Sequence, residues 1–129
     1  MPEGVGYPNT QAVAGTGLDL NYVGGNVYAY SGEITSSTSF QTFLEFKTGK
    51  APILGTLQIS ADLNALGTSY LEWEIEINGI TVMLAKMERN NFDWEVTPVF
   101  LPPLTNMKVQ LKAQGGTPKA TAMFVGKIV

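Results

Sequence analysis

Apolar and polar positions alternate with a period of two over several short stretches of this chain, the period of a β-strand that buries one face. The clearest case is Leu71-Glu72-Trp73-Glu74-Ile75-Glu76-Ile77, then Asn78-Gly79, then Ile80-Thr81-Val82-Met83-Leu84. The alternation predicts a half-buried strand, and Asn-Gly supplies the two positive φ angles of a type I′ turn, so the segment reads as a β-hairpin. Trp73 lies in phase with Leu71, Ile75 and Ile77 and is expected in the core.

Other segments repeat the signal with less force. Tyr28 and Tyr30 share one side of a short strand, which a Ser36-Ser37-Thr38-Ser39 turn follows. Phe40 to Phe46 is aromatic-rich but alternates poorly, and Thr48-Gly49-Lys50-Ala51-Pro52 ends it. Ile53, Gly55, Leu57 and Ile59 mark one face of a further strand and Leu54 the other, with Gly55 at a bulge or a point of close approach. Glu95 to Leu101 is closed by Pro102-Pro103, which cannot donate to a ladder. Met107 to Ala113 alternates again, and Thr121 to Val129 supplies a last strand after the Gln114-Gly115-Gly116-Thr117-Pro118 turn. About eight antiparallel strands at such regular spacing predict an all-β sandwich or barrel, and that strand number favours a jelly-roll β-sandwich over an immunoglobulin-like one. Ala61 to Leu66 is the one stretch compatible with a helical turn.

Residues 1–26 differ from the rest. They are rich in glycine, and their sparse apolar residues Val5, Tyr7, Val13, Leu18, Leu20, Tyr22 and Val23 follow neither period. The segment is expected to be an extended N-terminal arm, with 27–129 as the sandwich. Fully extended it spans at most about 85–95 Å, enough to reach a neighbouring subunit. Its low charge and its aromatic and branched side chains are those of a docking segment rather than a solvated tail.

Composition removes whole classes of chemistry. The chain has no Cys and no His, so Cys-based metal sites, Ser-His-Asp triads and Cys-His pairs are closed to it, and no cofactor is expected. Eight Lys and Arg against eleven Asp and Glu give a net charge of -3, which argues against a nucleic-acid partner bound by neutralising its phosphates. The first basic residue is Lys47, while Glu3, Asp19, Glu33 and Glu45 precede it, an asymmetry that suits a basic partner surface. The N-terminus has no basic and apolar pattern of a secretory signal, and no apolar run reaches the roughly 20 residues that span a bilayer. A soluble, non-enzymatic protein is expected.

Phe43-Leu44-Glu45-Phe46-Lys47-Thr48-Gly49 with Ile53-Leu54-Gly55-Thr56-Leu57-Gln58, then Leu101-Pro102-Pro103-Leu104-Thr105-Asn106-Met107-Lys108-Val109 and the terminal Phe124-Val125-Gly126-Lys127-Ile128, resembles the small jelly-roll cement, or decoration, proteins of tailed-phage heads. The resemblance covers roughly residues 27–129 and rests on loose motifs: a strand, a Pro-Pro-Leu-Thr corner and another strand. It implies a homotrimer on the outer surface of an icosahedral capsid, bound to the major capsid protein and reaching across the shell with its arms. Under that reading Tyr7, Val13, Leu18, Leu20, Tyr22 and Val23 are subunit or capsid contacts.

Two other sets of residues invite chemistry. Glu72, Glu74 and Glu76 recur about 6.5–7 Å apart along one strand face, which overlaps the carboxyl separation of an inverting glycosidase. Any solvated strand face shows that spacing, and Lys108 and Lys112 are available as cross-strand partners. Phe92 and Trp94, in an Asn/Asp-rich loop, could form an exposed aromatic anchor for a protein or a sugar ring. A carbohydrate-binding module is therefore the alternative reading. Asp19, Asp62 and Asp93 form no calcium-loop pattern.

Overall fold

The computed structural model describes residues 19–63, 70–88 and 94–129. Ten strands run through them, numbered here in chain order: β1 (Asn21–Val23), β2 (Asn26–Tyr30), β3 (Ile34–Thr35), β4 (Gln41–Lys47), β5 (Ile53–Ala61), β6 (Tyr70–Ile77), β7 (Ile80–Glu88), β8 (Trp94–Leu101), β9 (Asn106–Gln114) and β10 (Lys119–Ile128). All pairings are antiparallel. They make a four-stranded sheet, β4-β9-β6-β7, and a six-stranded sheet, β1-β2-β10-β5-β8, in which β3 continues the β2 side of β10. The chain is thus all-β, a sandwich of two antiparallel sheets. No described residue is helical, so no described helix is long and apolar enough to cross a membrane.

Period-two alternation puts one face of each sheet into a single shared core. Leu71, Trp73 and Ile75 of β6, Met107, Val109, Leu111 and Ala113 of β9, and Ile53, Leu57 and Ile59 of β5 are all buried there. The predicted hairpin forms as expected, with φ 51° at Asn78 and 84° at Gly79. Asn78 also clamps the turn to the start of β9, donating its backbone N–H to Asn106 O at 2.8 Å and accepting from Asn106 N at 2.9 Å.

The imperfect alternation of Phe40 to Phe46 has a physical cause. The register of β4 against β9 shifts between Val109 and Gln110, so that Val109 opposes Leu44 and Gln110 opposes Thr42. Phe43 is the extra residue of a β-bulge, and both Phe43 and Leu44 are buried. In β2 the side chains facing the core are Val27 and Ala29, while Tyr30 faces outward. Between β2 and β3 the ladder breaks at Ser31, whose hydroxyl accepts Ala122 N–H at 2.9 Å and so satisfies a buried donor.

Gly55 marks a close approach rather than a bulge, because β5 and β10 keep unbroken register from Ile53↔Ile128 to Ala61↔Ala120. The Phe124 ring lies where a Cβ on Gly55 would be, with Cζ 2.4 Å from that position and Val125 O 2.7 Å from it. Phe124 in turn packs on Phe46 of the other sheet, ring centroids 5.5 Å apart. The Pro-Pro-Leu-Thr corner between β8 and β9 is held by Thr48, whose hydroxyl donates to Pro102 O and accepts Thr105 N–H, each at 2.8 Å.

Residues 21–23, within the segment expected as an arm, form β1 on the free side of β2. Leu20 packs against the core, and the Tyr22 hydroxyl accepts Gly49 N–H at 3.1 Å. Of the stretch compatible with a helical turn, Ala61 closes β5 and Asp62 and Leu63 are not helical, while Asn64 to Leu66 lie outside the described residues.

Gly55→Ala is expected to cost about 1–3 kcal/mol, because the new methyl group meets backbone as well as the Phe124 ring. Urea denaturation of variant and parent measures it, and a change below about 0.5 kcal/mol would contradict the close-approach account.

Candidate functional site: a mostly apolar outer sheet face

The two outer faces of the sandwich differ in kind. On the four-stranded sheet the register lines up Glu45, Lys108 and Glu76 in one row across β4, β9 and β6. Lys112, Glu72 and Lys86 form another across β9, β6 and β7. The signs alternate, so directly opposed residues attract. Lys112 Nζ stands 3.2 Å from Glu72 Oε1 and 4.8 Å above the Phe40 ring, and Lys86 Nζ lies 4.4 Å from the Tyr70 ring centroid. Each such exposed pair contributes no more than about 0.2–1 kcal/mol. Their larger effect is to keep this face hydrated.

The three glutamates singled out by their spacing sit on this open face. Glu72 is engaged by Lys112, and Glu76 Oε2 accepts a 3.4 Å hydrogen bond from Gln110 Nε2. Partial burial raises the Glu74 carboxyl above its ordinary value, and the neighbouring Glu76 adds to the shift, while Thr81 and Lys108 draw it back. The geometry is a cross-strand charge ladder, in which Lys108 and Lys112 oppose Glu76 and Glu72.

The outer face of the six-stranded sheet carries the opposite chemistry. Its rows read Asn26, Lys127, Leu54, Phe100, then Tyr28, Val125, Thr56, Pro98, then Tyr30, Met123, Gln58, Val96. Over these three rows the one charged residue is Lys127. Tyr30 is 50%, Leu54 54% and Phe100 56% exposed, whereas the glutamate face exposes its large apolar side chains at its β7 margin, where Leu84 stands opposite Glu74. The Tyr28 and Tyr30 rings lie 4.9 Å apart at 37°. A shallow depression lined by Tyr28, Leu54, Pro98 and Val125 runs across the middle. Four strands about 4.8 Å apart and three rows about 7 Å apart give these rows a footprint of roughly 300–400 Å², with Asn26, Lys127, Thr56 and Gln58 interrupting its apolar part. Exposed apolar patches approaching that size on a monomer are often functional.

Of the residues proposed from sequence as contacts, Leu20 is partly buried against the core, and Tyr22 and Val23 are exposed on β1. Val23 opposes Asn26 in register and so extends the apolar face by one strand. Tyr7, Val13, Leu18 and Phe92 lie outside the described residues, and Trp94 opens β8 opposite Ser60. Sequence reading missed the face formed by Tyr28, Tyr30, Leu54, Phe100 and Val125. The signal was present, since Leu54 and Phe100 are out of phase with the core positions of their own strands, but the register that brings them together is not written in either strand alone.

No known family model matches the chain, and no curated protein is similar to it.

A carboxyl with a raised folded-state pKa binds more protons folded than unfolded, so its ionisation opposes folding and stability falls as pH rises through that window. Glu74→Gln is therefore expected to leave stability unchanged or raised at pH 7, with any gain gone below about pH 4. Urea denaturation at the two pH values checks this. A clear loss at pH 7 would make ionised Glu74 a needed partner of Lys108.

Proposed function

We propose that this chain is a virion structural protein, a capsid cement or decoration protein that stabilises an icosahedral head by bridging capsid subunits, without enzymatic activity. The observation that carries the reading is the division of the sandwich into a charge-laddered outer face and one whose middle rows are mostly apolar and aromatic. A monomer with no partner has no need of the second, because roughly 25 cal/mol for each Å² of exposed apolar surface is left ungained. A footprint of roughly 300–400 Å² is at most half of the about 800 Å² per partner in a stable binary complex. Such a surface suits a protein present in many copies on a lattice, where weak contacts and docked arms add through effective concentration.

The strand order supports a jelly roll. Read across the two sheets, β2-β10-β5-β8 faces β4-β9-β6-β7, and each strand stands in the same place as its described neighbour along the chain: β2 with β4 across the two-residue β3, β10 with β9, β5 with β6, β8 with β7. That order fits a hairpin ribbon wrapped into two Greek keys. The resemblance to phage cement proteins adds the outer capsid surface as the location, the major capsid protein as partner and a homotrimer as the working unit.

A carbohydrate-binding module is the second reading, favoured by the Tyr28 and Tyr30 rings, which offer stacking surfaces on an open sheet. Val125→Glu separates the two. Val125 sits between Tyr28 and Thr56 at the centre of the face, and burying an unpaired carboxylate there costs well over the 1.4 kcal/mol that equals tenfold in affinity. The full chain is expected to co-sediment with tailed-phage heads stripped of their cement protein, Val125→Glu to weaken this at least tenfold, and Glu74→Gln to leave it unchanged. Binding to immobilised glycans with the same sensitivity and none to heads would overturn the cement reading in favour of the glycan one.

A further inference from the structure

We infer that the free edge of β7 is a self-association surface, where a second copy of this chain adds its own β7 antiparallel and joins the two four-stranded sheets into one of eight strands. This goes beyond the capsid reading and does not depend on it.

A sheet edge offers unpaired N–H and C=O groups, and proteins that stay monomeric blunt their edges. Among the described residues three of the four edges are blunted. β1 is three residues long, and β8 carries Pro98, which has no N–H to offer. β4 has the bulge at Phe43 and the charges of Glu45 and Lys47. β7 is nine residues long, contains no proline, and has no charge from Ile80 to Ala85. No described strand pairs with its outer edge. It too has a bulge, where the register shifts between Ile75 and Glu76, but the residue passed over is Val82, another exposed apolar side chain.

β7 exposes apolar side chains on both of its faces. By register Met83 opposes Ile75 and Ile80 opposes Ile77, which places both on the core-facing side of the sheet. Ile80 is nevertheless 68% exposed and Met83 40%, while Leu84 on the other side is 61% exposed. Apolar side chains on both faces of an edge strand add contact area for a strand paired alongside it, since directly opposed and diagonal side chains meet across the new pair.

The occupant follows from charge and area. An uncharged edge of this kind is matched by an uncharged apolar strand, and β7 itself is one. An antiparallel mate centred near Met83 and Leu84 sets the two apolar segments against each other and leaves Lys86 and Glu88 of each copy towards the ends. Such a contact is isologous and closes with two copies. Nine residues span about 30 Å, and the two sheets with their side chains are about 20 Å thick. Each copy therefore buries on the order of 600 Å², or about 1,200 Å² in all, at the lower bound of specific interfaces. The pairing is accordingly concentration-dependent.

The absence of cysteine makes the test clean. Directly opposed residues of an antiparallel pair have Cα atoms about 4.5–5.5 Å apart, within disulfide range. Full chains carrying Met83→Cys or Leu84→Cys are oxidised mildly beside Val125→Cys and Gln110→Cys, which report the two outer faces. At least one β7 variant is expected to form linked dimers tenfold or more faster than either face variant, and Leu84→Lys, with unchanged circular dichroism and melting temperature, to shift the light-scattering mass of the parent towards monomer. Equal rates at all four positions, or faster linking at Val125→Cys, would overturn the proposal. Failure here with capsid binding intact leaves the cement reading standing, and loss of capsid binding in Val125→Glu with β7 linking intact leaves this one.

Discussion

A strand in a two-sheet sandwich has two faces, and the pleat commits one of them to the core. In this chain that commitment is made by Leu71, Trp73 and Ile75 facing Ile53, Leu57 and Phe124, and by Gly55, whose missing side chain lets the Phe124 ring reach across to Phe46. Everything the molecule can present to a partner is then confined to the two outer faces, the sheet edges and the connections. Position by position the core dictates which residues are free, and the chemistry of those free residues separates one side of the molecule from the other.

The separation is sharp because cross-strand register collects like with like. Lys108, Lys112 and Lys86 fall opposite glutamates on one outer face, where alternating charge keeps water bound and disfavours face-to-face stacking. On the other, Tyr28, Val125, Leu54 and Phe100 come from four different strands. The buried hydroxyls of Ser31, Ser36 and Thr48 fix those strands without adding charge: each bridges to a backbone group on a distant segment, Ala122, Pro118, and Pro102 with Thr105 respectively. The apolar face is thereby held on a rigid scaffold, which limits the entropy lost when it docks.

Much of this was legible in the sequence, and the limits were physical ones. Strict alternation from Leu71 to Ile77 and the Asn78-Gly79 pair specified a hairpin, since few other backbones satisfy both signals at once. The in-phase set Ile53, Gly55, Leu57 and Ile59 gave the core side of β5 and left Gly55 as a bulge or a close approach, of which the unbroken register selects the second. Phe40 to Phe46 resisted because a bulge resets the alternation within the strand, and β1 and β3 were hidden by their length, three and two residues. The interaction surface was the least legible part. An exposed Leu54 or Val125 is unremarkable alone, and becomes a patch through pairings between residues some 70 positions apart.

On the reading proposed here the protein associates through apolar surface and not through its charge ladder. The salt dependence of its association in sedimentation equilibrium tests that most directly, because screening weakens contacts between exposed charges as ionic strength rises while apolar contacts hold or strengthen. From about 0.05 to about 0.5 M salt, where the Debye length shrinks from more than 10 Å to less than 5 Å, the association constant is predicted to stay level or rise. A steep fall over that range would place the contacts on the lysine and glutamate face and contradict the account.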